Sequence, residues 1–414
     1  MKRFVSLICL LVITTALFGS NSFAKEEHQL KVAFIRDNDL WIKVGQNEER
    51  RVTDGEFIRH PKWSYDGNWL AFSKGEAERE LWVYDLKSNN IQRVYDSIHQ
   101  FQWSPIETKL AFLSNGVLNV TDVTKMKEQK FENIALGIGR FSWKPNGKEF
   151  LVSSMANLLP TGWTSVELFT VPVGANLNPE KMRHFFSLPK QSDEFFAVMT
   201  SPFQWSDDGK WISFLGIPTA SISMDMNTLC VISDDGKVFQ QLGKMLSFDD
   251  WFQWAPHSNR LAFIEGEGRF AVKNKHLMVN EFPVHQGLSL TPAGYVEKGF
   301  TWIDGVQIIV SRAKESEWKN DPKQRPKPSL YHINILTKHQ TAITSLENGE
   351  GDYMPFYLPN SKKLAWVHAG EDYTGTIFVS DLDGKHKQAL VKDVGDGTLY
   401  EDSNSWSKII SYFD

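Results

Sequence analysis

The sequence predicts an all-β protein, a β-propeller of four-stranded antiparallel blades, and three observations support this. An aromatic residue, usually Trp, is followed by a short turn and an apolar strand about every 49 residues, which is the period of propeller blades and not of helical repeats. Residues 60–72 and 203–214 are nearly identical copies, and Phe-Gln-Trp and Leu-Ala-Phe each occur three times. No long window after residue 24 has helical periodicity.

Each repeat can be divided into four strands, A to D. In the clearest copy, strand A ends at Trp63, residues 65–68 form a glycine-containing hairpin turn, and 69–73, 81–86 and 91–95 are strands B, C and D. The weaker copies keep an aromatic residue or its flanking turn, and they centre on Trp103, Trp143, Trp254, Trp302, Tyr357 and Trp406. Because these aromatic residues occupy equivalent strand positions, we expect them to pack between blades, and not to stack on sugars.

The two ends of the chain are predicted to complete one blade together. Residues 31–35, 40–44 and 51–53 have the pattern of strands B, C and D without an A strand, and residues 404–407 resemble an isolated A strand. A composite blade would leave no open sheet edge in the ring. This gives eight blades. Seven blades is the alternative, in which residues 409–413 form a B strand of their own.

Residues 1–24 are predicted to be a secretory signal peptide. Lys2 and Arg3 precede an apolar stretch, and small residues lie at the −3 and −1 positions before a cleavage point after Ala24. An uncleaved anchor is the alternative. Cleavage leaves residues 25–414 as a single propeller domain with Cys230 as its one cysteine, so that no internal disulfide can form. We therefore expect an exported protein of the cell envelope, periplasm or medium.

The charge of the chain argues against two classes of partner. The formal net charge is −5 at pH 7, which is unfavourable for binding nucleic acid or an anionic membrane. The one basic stretch, residues 314–328, contains three prolines and mixed charges, which indicates an extended exposed loop. It is also the natural place for an acidic partner to dock.

The element Pro-x-Trp-Ser-x-Asp-Gly-x-x-Leu-Ala-Phe, best preserved at residues 60–72 and 203–214, resembles the propeller repeat of the translocation protein TolB and related WD40-like repeats of exported bacterial proteins. The resemblance extends over residues 25–414, although the later repeats are degenerate. It implies a propeller fold in the bacterial envelope. It implies little about activity, since one fold supports many functions.

The sequence shows no complete catalytic motif. It contains no Gly-x-Ser-x-Gly, His-Glu-x-x-His, phosphate-binding loop or paired Cys-x-x-Cys. The segment 381–384 superficially resembles a calcium loop, but it lies where a turn between strands C and D belongs. We therefore expect neither a cofactor nor a bound metal.

Candidate binding residues are concentrated on one face of the predicted ring. The D–A loops, which approach the channel, carry polar side chains at Arg59, His60, His99, Arg140, Asp249, Asp250, Lys298, Asp352, Glu401 and Asp402. The long B–C loops of the same face display Trp163 and Trp318. Loops on a rigid scaffold are where binding residues concentrate, so we favour a recognition face over loop residues that merely fold back on the ring.

Two functions fit this pattern. The first is a non-catalytic and monomeric propeller that binds a protein, peptide or cell-wall ligand. The second is a propeller enzyme, a polysaccharide lyase or hydrolase, in which His60 and His99 from adjacent repeats act at the channel mouth. We favour binding because no complete catalytic set is visible.

Overall fold

The computed structural model describes residues 29–126, 131–283, 287–345, 349–370, 374–395 and 406–414. Within these residues, successive strands form eight four-stranded antiparallel blades arranged as a β-propeller. Each blade runs from strand A beside the central channel to strand D at the rim. The predicted fold class is confirmed, and the ring has eight blades.

Blades 1 to 4 follow each other in chain order. Their strands A to D are Ile58–Trp63, Trp69–Lys74, Glu80–Asp85 and Asn90–Tyr95 in blade 1; Gln100–Trp103, Lys109–Ser114, Val117–Asp122 and Glu132–Leu136 in blade 2; Arg140–Trp143, Glu149–Ser153, Glu167–Pro172 and Arg183–Ser187 in blade 3; and Met199–Thr200 with Gln204–Trp205, Trp211–Ile217, Asn227–Ser233 and Phe239–Met245 in blade 4. The B–C loop of blade 3 carries an additional hairpin, Leu158–Leu159 with Gly162–Trp163.

Blades 5 to 7 continue the ring. Their strands A to D are Phe252–Trp254, Arg260–Glu265, His276–Glu281 and Leu288–Ser289 in blade 5; Tyr295–Trp302, Gln307–Lys314, Ser329–Asn334 and Gln340–Ala342 in blade 6; and Gly351–Leu358, Lys363–Ala369, Gly375–Ser380 and Gln388–Val394 in blade 7. The helical segments are short and lie in connections: the α-helix Ala220–Ser223 and the 3₁₀ helices Val123–Lys125, Pro179–Lys181, Pro322–Gln324 and Trp406–Lys408. None of the helices in the described part of the chain is long and apolar enough to cross a membrane.

Blade 8 joins the two ends of the chain, as predicted. Its strand A is Ile410–Phe413, which pairs antiparallel with Lys31–Arg36. Asp39–Val44 and Arg50–Arg51 complete the blade as strands C and D. The ring is therefore closed by hydrogen bonds between the first and the last described strands.

The predicted inner strand of blade 8 was nevertheless wrong. Trp406 lies in a 3₁₀ helix that leads into the strand, and its ring is buried there; residues 404 and 405 lie outside the described residues. Tyr412 takes the place of the repeated Trp, and its ring stacks on Phe356 of blade 7 with centroids 4.7 Å apart. The prediction was wrong because the last repeat has Tyr412 at the position where most other repeats have Trp.

The repeated Trp residues join neighbouring blades, as expected. In five blades the indole Nε1 donates a hydrogen bond of 2.8–3.2 Å to a backbone carbonyl in strand A of the preceding blade. The donors are Trp63, Trp103, Trp143, Trp254 and Trp302. In these five seams a large ring with one polar atom is packed between blades while its N–H remains satisfied.

The hydrophobic core is divided among the interfaces between blades. The Phe of each Leu-Ala-Phe repeat lies in strand B and is almost fully buried, at Phe72, Phe112 and Phe263. Complete burial of one such side chain contributes roughly 1.5–3 kcal/mol to the free energy of unfolding. The ring is therefore a rigid scaffold on which the loops and inner strands place their polar groups.

Candidate ligand-binding site

The central channel opens into a cavity of about 560 Å³ on the face of the D–A and B–C loops. Its walls come from blades 1 to 4 and from the loop that enters blade 5. The lining residues are His60, Lys62, Ser73, Ala77, Glu78, Arg79, Ile98, His99, Gln100, Phe101, Gln102, Arg140, Pro202, Phe203, Gln204 and Asp249. The volume lies within the ~300–1,000 Å³ of typical ligand pockets. We call this cavity the channel mouth.

Four sequence-predicted residues meet in the channel mouth: His60, His99, Arg140 and Asp249. Strand alternation explains why neighbouring residues join them. In the inner strand of blade 2, Phe101 and Trp103 are buried, whereas Gln100 and Gln102 keep partial exposure at the channel. Successive side chains of a strand point to opposite sides, so every second residue of an inner strand can line the channel.

Blade 1 reaches the channel through a β-bulge. The register between strands A and B shifts between Arg59 and Lys62, and His60 has a left-handed φ of 54°. Pro61 follows and has no N–H to offer to the ladder. Met354, which also precedes a proline, repeats this geometry in blade 7 with a φ of 48°. Blades 1 and 7 thus share this bulge, and in blade 1 it turns His60 into the channel mouth.

Glutamine side chains tie the inner strands together around the channel. Gln100 donates to the carbonyl of Phe141 at 2.7 Å, and the Gln102 side chain accepts from the backbone N–H of Trp143 at 3.0 Å. Gln204 donates to the carbonyl of Asp249 at 2.7 Å. These contacts satisfy backbone groups at strand edges, which would otherwise require water. The Gln of Phe-Gln-Trp, which is Gln102 in blade 2 and Gln204 in blade 4, therefore has a structural role in both blades.

Charges of both signs line the channel mouth. Burial among the inner strands lowers the pKa of Lys62 and of Arg140, and the nearby carboxylate of Asp249 opposes both shifts. Burial likewise raises the pKa of Asp249, against the attraction of Lys62 and Arg140. Lys62 and Asp249 nevertheless keep contact with solvent inside the channel. They are surrounded by protein yet reachable by a ligand.

A histidine and a carboxylate form a pair at the rim of this cavity. The Nε2 of His60 lies 2.9 Å from Oε2 of Glu78, and this hydrogen bond is the largest cause of the lowered pKa of Glu78. His99 lies in the next blade, and the described residues offer its ring no hydrogen-bond partner. The two imidazoles share one cavity, but only His60 has a carboxylate to orient it.

The chain segment that precedes strand A of blade 8 lies close to the channel mouth. Burial raises the pKa of Asp250 to about 6, the charge of Asp249 raises it further, and a hydrogen bond from Ser407 opposes the shift. Lys408 of the same turn acts on Glu78 through its charge. The carboxyl-terminal turn therefore contributes to the electrostatics of the channel mouth.

The remaining polar residues predicted for the channel lie elsewhere. Arg59 donates to the Asn38 side chain at 3.2 Å and so points toward blade 8. Lys298 is half-buried at a bulge of blade 6, outside the set that lines the channel mouth. Glu401 and Asp402 lie outside the described residues.

Asp352 is buried and organises a separate cluster in blade 7. Its Oδ1 accepts hydrogen bonds from Trp366 Nε1 at 2.9 Å and from His368 Nδ1 at 2.8 Å. The other ring nitrogen of His368 lies 2.9 Å from Glu350 Oε2. The cluster bonds strand A to strand B, which is a structural use of the carboxylate that the sequence pattern did not separate from a ligand-binding one.

The two Trp residues of the long B–C loops are partly folded back on the protein. Trp163 packs against Phe196 with ring centroids 6.2 Å apart. Trp318 is stacked on Phe270 at 4.0 Å, and the guanidinium of Arg325 lies 3.8 Å from its centroid on the ring. Both rings are half-buried, so their exposure as binding anchors is smaller than predicted.

Other apolar side chains of the same loops are more exposed. Leu158 and Met224 have 65% and 58% of their surface accessible. The further exposed apolar residues of this face are Phe57, Met155, Leu159, Ile222 and Phe270. The loops also lock to one another, since Arg269 of blade 5 binds both carboxylate oxygens of Asp225 of blade 4 at 2.9 and 2.7 Å.

Sequence reasoning missed Lys62, Glu78 and Gln204, which line the channel mouth. Lys62 and Gln204 directly precede a repeated Trp, and strand alternation places that position toward the channel. Glu78 lies in a short B–C loop, and no motif or periodicity in the sequence marks it. Among the described residues, no group of three or more His, Cys, Asp or Glu side chains could hold a metal ion.

No protein-family model and no curated protein matches the sequence. Among solved structures, the chain is similar to a eukaryotic initiation factor (TM-score 0.56, 12% identity, 87% of this chain and 85% of that one). It is also similar to dipeptidyl peptidase 4 of Porphyromonas gingivalis (TM-score 0.54, 10% identity, 87% and 59%) and to a prolyl endopeptidase (TM-score 0.50, 12% identity, 89% and 50%). The chain thus spans about half of the length of the two peptidases. At these identities the likeness shows the propeller fold, and the resemblance to the TolB repeat stays a prediction.

Proposed function

We propose that the protein is an exported, non-catalytic binding module that holds a peptide or peptide-bearing cell-envelope ligand in the channel mouth. The loop face around it, with its exposed Leu158 and Met224, would contact the body of the partner. The likeness to propellers of peptidases is consistent with a peptide ligand, although it carries the fold alone.

One observation carries the proposal. Lys62 and Arg140 share the channel mouth with Asp249, so cationic and anionic groups are held on rigid inner strands around one accessible cavity. A peptide offers both a carboxylate and an ammonium group, and fixed charges of both signs orient such a ligand with little reorganisation. Pairing with such a ligand would also offset the partial desolvation of these three charges.

The second function, an enzyme, keeps one specific observation in its favour. The imidazole of His60, oriented by Glu78 at 2.9 Å, lies in the same cavity as His99. A carboxylate-oriented His is a competent general base. The two functions differ in what the histidines do, and this difference can be tested directly.

The test measures binding of short fluorescent peptides that carry an acidic group, a basic group or both, by fluorescence polarisation with the purified protein. Lys62→Met should weaken binding of acidic peptides about tenfold, and Asp249→Asn should do the same for basic ones, which corresponds to about 1.4 kcal/mol each. Leu336→Ser is the control, because this exposed residue lies at the C–D turn of blade 6 on the opposite face.

Equal affinities in the wild type and in both charge variants would contradict the proposal. Turnover of a peptide or cell-wall polysaccharide that is lost in His60→Ala or His99→Ala would replace it with the enzyme function. Neither His variant should change the affinity for peptides by more than about threefold if the histidines only line the cavity.

A further inference from the structure

Trp205 departs from the pattern set by the other repeated Trp residues. In blades 1, 2, 3, 5 and 6 the indole N–H is bonded to strand A of the preceding blade. By the same register, Trp205 should donate to the carbonyl of Ser142. Instead, within the described residues its Nε1 has no hydrogen-bond partner, and the side chain keeps partial exposure.

The cause lies in the inner strand of blade 4. This strand is split into Met199–Thr200 and Gln204–Trp205, and Pro202 lies in the interruption. The hydroxyl of Ser142 accepts a hydrogen bond from the backbone N–H of Phe203 at 2.8 Å. Blade 3 is therefore tied to blade 4 through Phe203, and the seam that an indole usually fills stays open at Trp205.

The open seam forms a cavity of about 240 Å³ between blades 3 and 4. It is lined by A–B and C–D turn residues, so it opens on the face opposite the channel mouth. Trp205 and Phe185 supply aromatic rings, and Asn146, Thr170, Lys144 and Asp234 supply polar groups. We call it the seam cavity.

Two polar groups of the seam cavity lack protein partners. Thr170 is only 8% exposed as a residue, but its hydroxyl oxygen is accessible and makes no hydrogen bond to any described residue. The indole N–H of Trp205 is the second. Both atoms are accessible and without a protein partner, so both are available to a molecule in the cavity, which would accept from the indole N–H and bond the hydroxyl.

We propose that the seam cavity binds a single uncharged saccharide unit. An aromatic ring beside unpaired donors and acceptors matches a ring that has apolar faces and hydroxyl groups at its edges. Lys144 is paired with Glu149 at 3.4 Å, and the charge of Asp234 acts on Lys237. Both charges are therefore balanced within the protein, and the cavity favours a ligand without net charge. Its volume lies below the ~300–1,000 Å³ of pockets for drug-sized ligands, which fits one sugar ring. This site is independent of the channel mouth.

The first test uses the indole N–H resonances of ¹⁵N-labelled protein, with that of Trp205 assigned by its loss in Trp205→Phe. The indole proton of Trp205 should exchange with D₂O at least tenfold faster than that of Trp103, whose N–H is bonded to Lys62 O at 2.8 Å. Equal protection of the two protons would overturn the open seam and with it the proposal.

The second test titrates the methyl glycosides of glucose, galactose, mannose and N-acetylglucosamine. At least one should shift the Trp205 resonance, and Trp205→Phe should weaken its binding about threefold to tenfold through loss of one hydrogen bond. Trp103→Phe is the matched control: it should lower the melting temperature and leave glycoside affinity unchanged. A linear oligosaccharide is then added as a competitor. Displacement of the glycoside would show that the cavity accepts the end of a saccharide chain, and no displacement would show that it accepts only a free sugar.

Glycosides that leave the Trp205 resonance in place at saturating solubility would overturn the proposal. So would equal glycoside affinity in Trp205→Phe and the wild type. A shift caused by a tryptophan or phenylalanine amide and by none of the glycosides would assign the cavity to aromatic side chains and refute a saccharide ligand. Loss of peptide binding at the channel mouth is expected in none of these variants.

Discussion

Replacement of Asp250 by Asn should flatten the pH dependence of stability between about pH 4 and pH 6. Burial beside the channel raises the pKa of Asp250 from 3.8 to about 6, and the charge of Asp249 adds to this. Between these two pH values the folded protein binds more protons than the unfolded chain. The free energy of unfolding therefore falls as the pH rises through this window and stays lower above it.

The size of the effect follows from the pKa shift. About two pKa units correspond to roughly 3 kcal/mol as an upper limit, since each unit is about 1.4 kcal/mol. Asp250 is only half-buried, and its remaining contact with solvent screens its charge, so we expect about 1–2 kcal/mol. Asn has nearly the same shape and no charge, so the variant should gain this amount at pH 7.5 and nothing at pH 3.5.

Urea unfolding followed by tryptophan fluorescence, at half-unit steps from pH 3.5 to pH 8, measures this difference. Asp193→Asn is the control, because that residue is exposed in the loop before blade 4 and its replacement should leave the profile unchanged. Parallel profiles of Asp250→Asn and the wild type would refute the reasoning, as would a variant that is less stable at neutral pH.

Three further predictions concern closure, a buried lysine and export. Deletion of residues 410–414 removes the partner of the first strand and the carbonyl that accepts from Trp63; urea unfolding should show a loss of at least ~3 kcal/mol, and a truncated protein that unfolds like the parent would contradict closure. Lys275 is fully buried, with Nζ bonded to the carbonyls of Glu267 and Lys273 at 2.8 and 3.1 Å; Lys275→Met should cost about 2–4 kcal/mol, measured in the same way, and an unchanged midpoint would show that the ammonium is dispensable. Mature protein from the extracytoplasmic fraction should begin at Lys25 by amino-terminal sequencing, and a start at Met1 there would exclude cleavage.

Much of the fold could be predicted because the blades pack against one another in the same way. A large ring must fill each seam, and a strand B must be buried on both faces, so Trp and Leu-Ala-Phe recur at fixed spacing. Composite closure also followed from the chain ends. The residue that fills the last seam could not be predicted, because Tyr412 replaces Trp there. The buried Trp406 lies only six residues earlier and was therefore mistaken for the repeated Trp.

The candidate site was predicted only in part, for a physical reason. The sequence shows which polar residues lie near the start of an inner strand. It does not show whether a carboxylate is buried and hydrogen-bonded within the protein or remains accessible to a ligand. Asp249 and Asp352 occupy similar places in the pattern; one remains accessible in the channel mouth, whereas the other is buried against Trp366 and His368. A single B–C residue, Glu78, decides how His60 is held, and no periodicity marks it.

The deviations from the repeat are more informative about function than the repeat itself. A regular blade satisfies the indole N–H of its own seam, whereas the interrupted strand of blade 4 leaves that of Trp205 without a partner among the described residues. Pro202 and Gln204 of this strand border the channel mouth, and Trp205 borders the seam cavity. Proteins tend to break local rules at functional sites. Blade 4 therefore borders both cavities and carries the unpaired indole, which makes it the part of the ring where recognition should be sought first.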